Sequence, residues 1–509
     1  MTAATFQAID PSTGAPFGDP IKEMDKSEVN ALIEKAAAQK DALAKTSPSQ
    51  RAALLRSIAA AVESKREQLI EVTMRETALP SGRLTGELSR TVFQLEQFAK
   101  YVESGAYLGA IIDLPDANWV PAARPDIRKA NQPLGLAAIF AASNFPFAFS
   151  VIGGDSASAI AAGNPIIVKA HPSHPNTCRI MHQAVVEGFV KAGFSTDSFV
   201  MVEGINPEIT HWIAGHPSVT AIGFTGSGMV GKLLLDISHK RAIPIPVYAG
   251  MGSLNPVFFT PGALKNNAES LAKAALDSAT LGSGQFCTKP GIIVIPNGPE
   301  GDEFLKQVES YLATLQVAPL LNKGIADRYS TAIAKLTINS KCQVYRGKNS
   351  DAGFGVEPTV FVVDWEVAKA NNELLEEHFG PTSVIIRTDF SNFEKVAGAM
   401  EGQLCAALHC AAGENIAKLL DVLAEKAGRV IMNGFPTAVA VTAAMQHGGQ
   451  WPSSSTHTTS VGLDSIYRFM RPVAHQNYLD ELLPPSLQNS NPWKITRLVN
   501  GEPSNKAIG

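Results

Sequence analysis

The chain has 509 residues, with 43 Lys plus Arg against 47 Asp plus Glu and a formal net charge of −4. It lacks the basic excess that phosphate-backbone binding needs, so no nucleic-acid partner is expected. With 45% hydrophobic and 18% charged residues, it reads as a large, well-buried globular protein of about three domains, not a disordered or fibrous chain.

The opening MTAATFQAID has no basic stretch followed by an apolar core, so no secretory signal and a cytoplasmic location are expected. Helical spacing follows. Ser27 is placed to cap a helix through residues 29–45. After Ser47-Pro48, a periodic run over 51–77 predicts one long helix ending before Pro80, and a third helix is expected over 86–104. No charged side chain lies between Lys129 and Asp155, a length that would suit a membrane span. Asn131, Gln132, Ser143, Asn144 and Pro146 interrupt it, so a buried strand, a turn and the start of a buried helix are expected, with no membrane span.

From Leu134 the texture alternates. Residues 136–142, 165–170, 198–204 and 219–225 read as strands, with a helix over 176–193. A second series follows Pro256, with strands at 291–296, 359–365, 382–388 and 429–434 and helices at 303–315 and 415–428. Alternation of this kind predicts α/β architecture, parallel sheets covered by helices. Two such domains are implied, joined near 250–256. The tail ends in a further strand near Trp493 to Val499, which needs a pairing partner in another segment or another subunit.

The five cysteines, Cys178, Cys287, Cys342, Cys405 and Cys410, show neither a C-x-x-C pair nor metal-ligand spacing with histidine, so free thiols and no metal are expected. Three places can carry chemistry. Gly226, Gly228 and Gly231 form G-x-G-x-x-G after a strand and at the start of a helix, a context for binding a pyrophosphate. A tight turn accounts for them nearly as well, because they follow the fourth strand and no acidic residue follows about twenty positions on. Cys287, in LGSGQFCTKPG, stands in a turn between elements, where a thiol can act as a nucleophile; the other four cysteines read as packing. Asn144, in SNFPFAF, follows a buried strand, where its amide can donate to an oxyanion or simply make a turn.

Taken together, SNFP with Asn144, IIVKA with Lys169, FTGS with Phe224 to Ser227, GQFC with Cys287, and EEHFGP with Glu377 and Phe379 resemble the aldehyde dehydrogenase superfamily, in family order over nearly the whole chain. GDSASAIAAGNPIIVKAHPSHPNT, GQFCTKPG and HGGQWPSSSTHTTSVG look most like the branch of 2-oxoglutarate semialdehyde dehydrogenases and an NADP-dependent fatty aldehyde dehydrogenase. The resemblance implies a Rossmann-like cofactor domain over 1–250 with an arm excursion near 119–131, a catalytic domain over 251–470, and an oligomerisation extension over 471–509. A homodimer or homotetramer is implied, with the terminal strand paired across the subunit interface.

The resemblance also implies roles. Cys287 attacks the aldehyde, and Asn144 with the Cys287 N–H holds the oxyanion. Lys169 binds the adenosine ribose and Glu377 the nicotinamide ribose, with Phe379 packed nearby. Phe224, Gly226, Ser227 and Gly231 form the phosphate turn. Pro172 stands where NAD-preferring members often carry a glutamate; with that repulsion removed, and His171 and His174 nearby, the expected cofactor is NADP, with NAD also possible. Phe145 and His457 are placed on the substrate side, His457 where relatives of the oxoglutarate semialdehyde group tend to carry an arginine. One departure stands out: the family's water-activating glutamate is replaced by Gly250, in YAGMGSLNP. His447 as substitute base, transfer of the acyl group to another acceptor such as coenzyme A, and a stalled acyl-enzyme are the competing expectations, with a non-catalytic relative as a further alternative.

Overall fold

The computed structural model describes residues 4–338 and 341–509. A five-stranded, all-parallel sheet forms the first α/β unit, in the order Phe199–Val202, Ile166–Lys169, Leu136–Phe140, Val219–Thr225, Val247–Gly250. Its three inner strands are near-continuous apolar runs because helices cover both faces. Alternate residues divide between them. Ala137, Ile139, Ile166 and Val168 pack with Leu55, Leu95, Ile160 and Met181 of four helices. Leu136, Ala138 and Ile167 face Val29, Ile33, Ile209 and Leu234 on the other side.

The second unit is a seven-stranded sheet in the order Gln343–Arg346, Thr359–Asp364, Thr382–Thr388, Ile292–Pro296, Val257–Phe259, Gln403–His409, Ala427–Met432. All its neighbours are parallel except the first pair. The last strand of the five-stranded sheet ends at Gly250, and the next strand in the chain, which belongs to the seven-stranded sheet, begins at Val257. A third sheet joins Met470–Gln476, Ile127–Pro133, Ile111–Asp113, Arg497–Val499 and Glu502–Ser504.

Several local expectations change. Asp25, not Ser27, caps the first helix, in a reciprocal capping box with Glu28. The run over 51–77 is two helices, Pro48–Ser64 and Arg66–Thr77, meeting at Lys65. The third helix starts five residues earlier than its periodicity suggests, at Ser81 immediately after Pro80. Gln403–His409, an inner strand, escapes a propensity reading because its run QLCAALH contains no Val, Ile, Thr, Phe, Tyr or Trp. The terminal strand Arg497–Val499 pairs within its own chain, parallel to Ile111–Asp113 and antiparallel to Glu502–Ser504, so it needs no partner subunit to satisfy its ladder. Among the described residues, no helix is long and apolar enough to cross a membrane.

Candidate active site

Cys287 lies where the Ala268–Thr280 helix connects to the Ile292–Pro296 strand. The connection runs through left-handed backbone at Gly282, Ser283 and Gly284 (φ 57°, 57° and 68°). Gly284 must be glycine, since a Cβ would also lie 2.1 Å from the Gly380 carbonyl oxygen. Buried Asn255 fixes the turn from beneath. Its Nδ2 donates to the carbonyls of Cys287 (2.8 Å) and Lys289 (2.9 Å), and its backbone N–H donates to Gln403 Oε1 (3.0 Å). Satisfied buried networks of this kind define position closely. Burial pushes the Cys287 thiol up to about 12, with Cys405 and Glu377 adding to the effect and Arg90 opposing it. At neutral pH the group is therefore a thiol, and its use as a nucleophile requires a base.

Asn144 reaches the same place from the end of the Leu136–Phe140 strand. It is buried, its Nδ2 donates to the Gln285 carbonyl at 2.9 Å, and its own backbone carbonyl accepts from Arg83 Nη2 at 2.8 Å. A side-chain amide carries two N–H groups, so one remains for an oxyanion formed beside Cys287.

His447 is the third member. Its Nε2 lies 3.6 Å from Cys287 Sγ. The backbone is pinned: its N–H donates to Thr459 Oγ1 (2.9 Å), and its carbonyl accepts from the Ser460 N–H (2.8 Å). Burial, reinforced by the charges of Arg90, Arg429 and Arg468, lowers the imidazole to about 3, so the ring is neutral at physiological pH.

Cys287 and His447 bound two cavities. The smaller, about 20 Å³, is closed by Thr225, Tyr248, Gly250 and Arg468 and has room for about one water molecule. Arg468 is held there by a buried ion pair to Asp155 (2.6 Å). The larger, about 210 Å³, is walled by Phe145, Phe149, Phe286, Arg83, Glu87 and Arg90. Phe145 meets Phe286 edge-on at 5.1 Å.

Gly250 ends its strand on the wall of the smaller cavity, with its carbonyl accepting from the Gly226 N–H at 3.0 Å. Neither backbone nor packing demands glycine here. A Cβ would find nothing nearer than Thr225 Oγ1 at 3.8 Å, and φ lies outside the left-handed region.

The other predicted residues lie along the C-terminal edge of the five-stranded sheet. Ser227 caps the Gly228–His239 helix, its Oγ accepting from the Val230 N–H (3.4 Å). Gly231 lets that helix approach closely, since a Cβ would come 2.4 Å from Met251 Sδ. Phe224 is buried, and its ring covers Gly226 so closely that a Cβ there would lie 2.5 Å away. Lys169 Nζ donates to the carbonyls of Ala170 (3.0 Å) and Gly204 (2.5 Å), and burial lowers it to about 8. Pro172 follows in the chain, in a turn in which the rings of His171 and His174 stack on each other at 5.6 Å. Both histidines are held neutral by burial, His174 at about 3, and His174 Nε2 is engaged with Ser150 Oγ at 3.0 Å. They add no positive charge at this position.

Glu377 lies over Gly252, where a Cβ would come 2.2 Å from Oε2, and Oε1 accepts from the Ser253 N–H (3.3 Å). Burial raises its carboxyl while Lys289 opposes the rise. Phe379 packs half-buried against the main core. His457 is exposed and bounds neither cavity, whereas its neighbours Thr456 and Thr458 bound the smaller one. Arg83, Glu87 and Arg90 were not singled out from the sequence. Their signal is the spacing i, i+4, i+7, hidden because Arg83 precedes residue 86, where the helical periodicity begins.

The profile of the aldehyde dehydrogenase family matches residues 1–472. The chain belongs to the aldehyde dehydrogenase family. This aldehyde dehydrogenase is 40% identical over 507 residues to alpha-ketoglutaric semialdehyde dehydrogenase 2 of Azospirillum brasilense, covering 98% of this chain and 97% of the relative. It is 36% identical over 510 residues to the alpha-ketoglutaric semialdehyde dehydrogenase of Acinetobacter baylyi, covering 98% and 96%. Among solved structures, the glyceraldehyde-3-phosphate dehydrogenase GapN of Methanocaldococcus jannaschii, complexed with NADP, matches with a TM-score of 0.79 at 19% identity, covering 93% of this chain and 99% of that one. The likeness at that identity is one of fold.

Proposed function

We propose that this aldehyde dehydrogenase oxidises 2-oxoglutarate semialdehyde to 2-oxoglutarate with NADP, NAD serving as an alternative. The observation that carries the reading is the pairing of Cys287 with His447 on the wall of the larger cavity, with Asn144 bonded to the carbonyl of Gln285 two residues before Cys287, in a chain so similar to alpha-ketoglutaric semialdehyde dehydrogenases. Cys287 adds to the aldehyde carbon as its proton passes to neutral His447. The oxyanion is held by Asn144 Nδ2 and the Cys287 N–H.

The cofactor edge fits a dinucleotide: the capped helix N-terminus at Ser227 faces open space at Gly228, and Lys169 ends the Ile166–Lys169 strand, separated from the Val219–Thr225 strand by Leu136–Phe140. A nicotinamide cofactor bound there would supply the two-electron oxidation that an aldehyde adduct on Cys287 needs to become a thioester. Lys169 would hold the adenosine ribose, Ser227 and the amides around Gly226 and Gly231 the phosphates, and Glu377 with Phe379 the nicotinamide ribose. Pro172 leaves the 2′ position without a repelling carboxylate. For hydrolysis, His447 removes a proton from water in the smaller cavity as that water attacks the thioester.

Gly250 favours a second reading, in which acylation is followed by slow hydrolysis, because a positioned carboxylate is absent from that cavity. The five cysteines stand as free thiols, in keeping with a reducing cytoplasm. The exposed Trp119, Val120, Leu479 and Leu482 offer apolar surface that a second copy in a homodimer or homotetramer would cover. An aldehyde panel assayed with NADP and NAD tests the reading. The highest kcat/KM is expected for 2-oxoglutarate semialdehyde with NADP; a preference for long-chain aldehydes, or no reduced cofactor with any aldehyde, would overturn it.

A further inference from the structure

The larger cavity carries a charge pattern that aldehyde oxidation does not itself require. Arg83, Glu87 and Arg90 share one face of the Ser81–Glu103 helix, and all three bound the cavity. The remaining walls are largely aromatic, and the guanidinium groups stack on them. Arg83 lies 4.9 Å from the Phe145 ring centre and 5.0 Å from that of Phe286, and Arg90 lies 5.5 Å from that of Phe149.

Glu87 cannot neutralise both arginines. Its Oε1 accepts from the N–H groups of Phe147 (2.8 Å) and Ala148 (2.9 Å), which holds the segment that follows Asn144, and its Oε2 lies 3.5 Å from Arg83 Nη2. One carboxylate against two guanidiniums leaves a positive charge in excess. Arg83 Nη1 and Arg90 Nε are buried and have no hydrogen-bond partner among the described residues. Burial lowers the proton affinity of both groups, Glu87 only partly opposing it. Unpaired charged donors in an aromatic wall are costly to bury, and a planar carboxylate is the acceptor that guanidinium geometry matches.

We infer that Arg83 and Arg90 bind the remote carboxylate of the substrate, which makes the cavity selective for short aldehydes carrying a carboxylate at the far end. The inference deepens the proposed oxidation of 2-oxoglutarate semialdehyde and rests on it. Glu87 acts as a positioning residue, orienting Arg83 and the Asn144 segment together.

The test combines two measurements. In the first, alkylation of Cys287 in the wild-type protein by neutral iodoacetamide is followed with glutarate or its uncharged analogue glutaramide present. Glutarate is expected to protect and glutaramide not; equal protection would overturn the inference. In the second, the ratio of kcat/KM for 2-oxoglutarate semialdehyde to that for pentanal is expected to fall roughly 10- to 100-fold in Arg83→Gln and in Arg90→Gln, the worth of one charged hydrogen bond, with partial recovery in the Lys variants. An unchanged ratio in folded variants would overturn it. If succinic semialdehyde outruns 2-oxoglutarate semialdehyde in the wild type and the variants lose that preference, the carboxylate site stands and the identity of the substrate falls. If 2-oxoglutarate semialdehyde is preferred and the variants keep the ratio, the substrate stands and the site falls.

Discussion

His447 Nε2 lies 3.6 Å from Cys287 Sγ, and both side chains bound the cavity that Gly250 also lines. The proposed nucleophile and the imidazole proposed as its base therefore bound one cavity. A neutral imidazole beside a protonated thiol stores no charge in the resting site; charge appears only as the thiol adds to an aldehyde.

This pairing has a pH signature. With the Cys287 thiol pushed up to about 12 and His447 lowered to about 3, neither group changes state near pH 6.5. Iodoacetamide alkylation of Cys287 should climb steadily from pH 6 to 10 without a plateau. A sigmoid centred near neutrality would mean a thiolate–imidazolium pair instead. His447→Ala should lower kcat by about 10²- to 10⁴-fold, the usual contribution of a positioned base.

The backbone at Gly250 accepts a side chain, since the nearest atom to a new Cβ is 3.8 Å away, and Gly250→Glu would direct its carboxylate toward the smaller cavity. Stopped-flow recording of NADPH should show a burst followed by a slower steady state in the wild type. The added carboxylate should raise the second phase by about 10- to 100-fold, within the range for a general base, without raising the burst. Rapid linear turnover in the wild type would show that His447 suffices.

At the cofactor edge, Pro172→Glu would return a carboxylate to the segment after Lys169. Its repulsion of a 2′-phosphate should lower kcat/KM for NADP by about tenfold or more while sparing NAD, each tenfold corresponding to about 1.4 kcal/mol. Steady-state titration with both cofactors measures the ratio directly.

Buried neutral histidines also make the fold acid-sensitive. His174 and His447 are each lowered from 6.5 to about 3. A histidine depressed in the folded state binds its proton more readily when unfolded, so its stabilising contribution is complete above pH 6.5 and is lost as the pH falls toward 3. Melting temperature should therefore decline between pH 7 and pH 4, and His174→Gln should flatten that decline. A constant Tm over this interval would contradict the burial of neutral rings.

The motifs carrying Cys287, Asn144, Lys169 and Glu377 were legible because each depends on local chemistry at a strand end or turn. Long-range placement was not. His447 and Gly250 meet only because Met251 N–H bonds the Ser453 carbonyl and Gly250 bridges Ser454 across the domains. Arg83 fell outside the helix that periodicity marked, since Pro80 ended one pattern and the next began unannounced at Ser81. His457 carried the right kind of side chain near the right motif, but its segment turns it outward while Thr456 and Thr458 face the cavity. The terminal strand's partner, Ile111–Asp113, lies nearly the whole chain away, where no local signal reaches.

The most direct test is mass spectrometry of the enzyme quenched milliseconds after mixing with NADP and 2-oxoglutarate semialdehyde. The structure predicts a 2-oxoglutaryl thioester on Cys287 that accumulates in step with NADPH and decays more slowly than it forms. NADPH formation with Cys287 unmodified throughout and retained activity in Cys287→Ser, or acylation of a different cysteine, would contradict it.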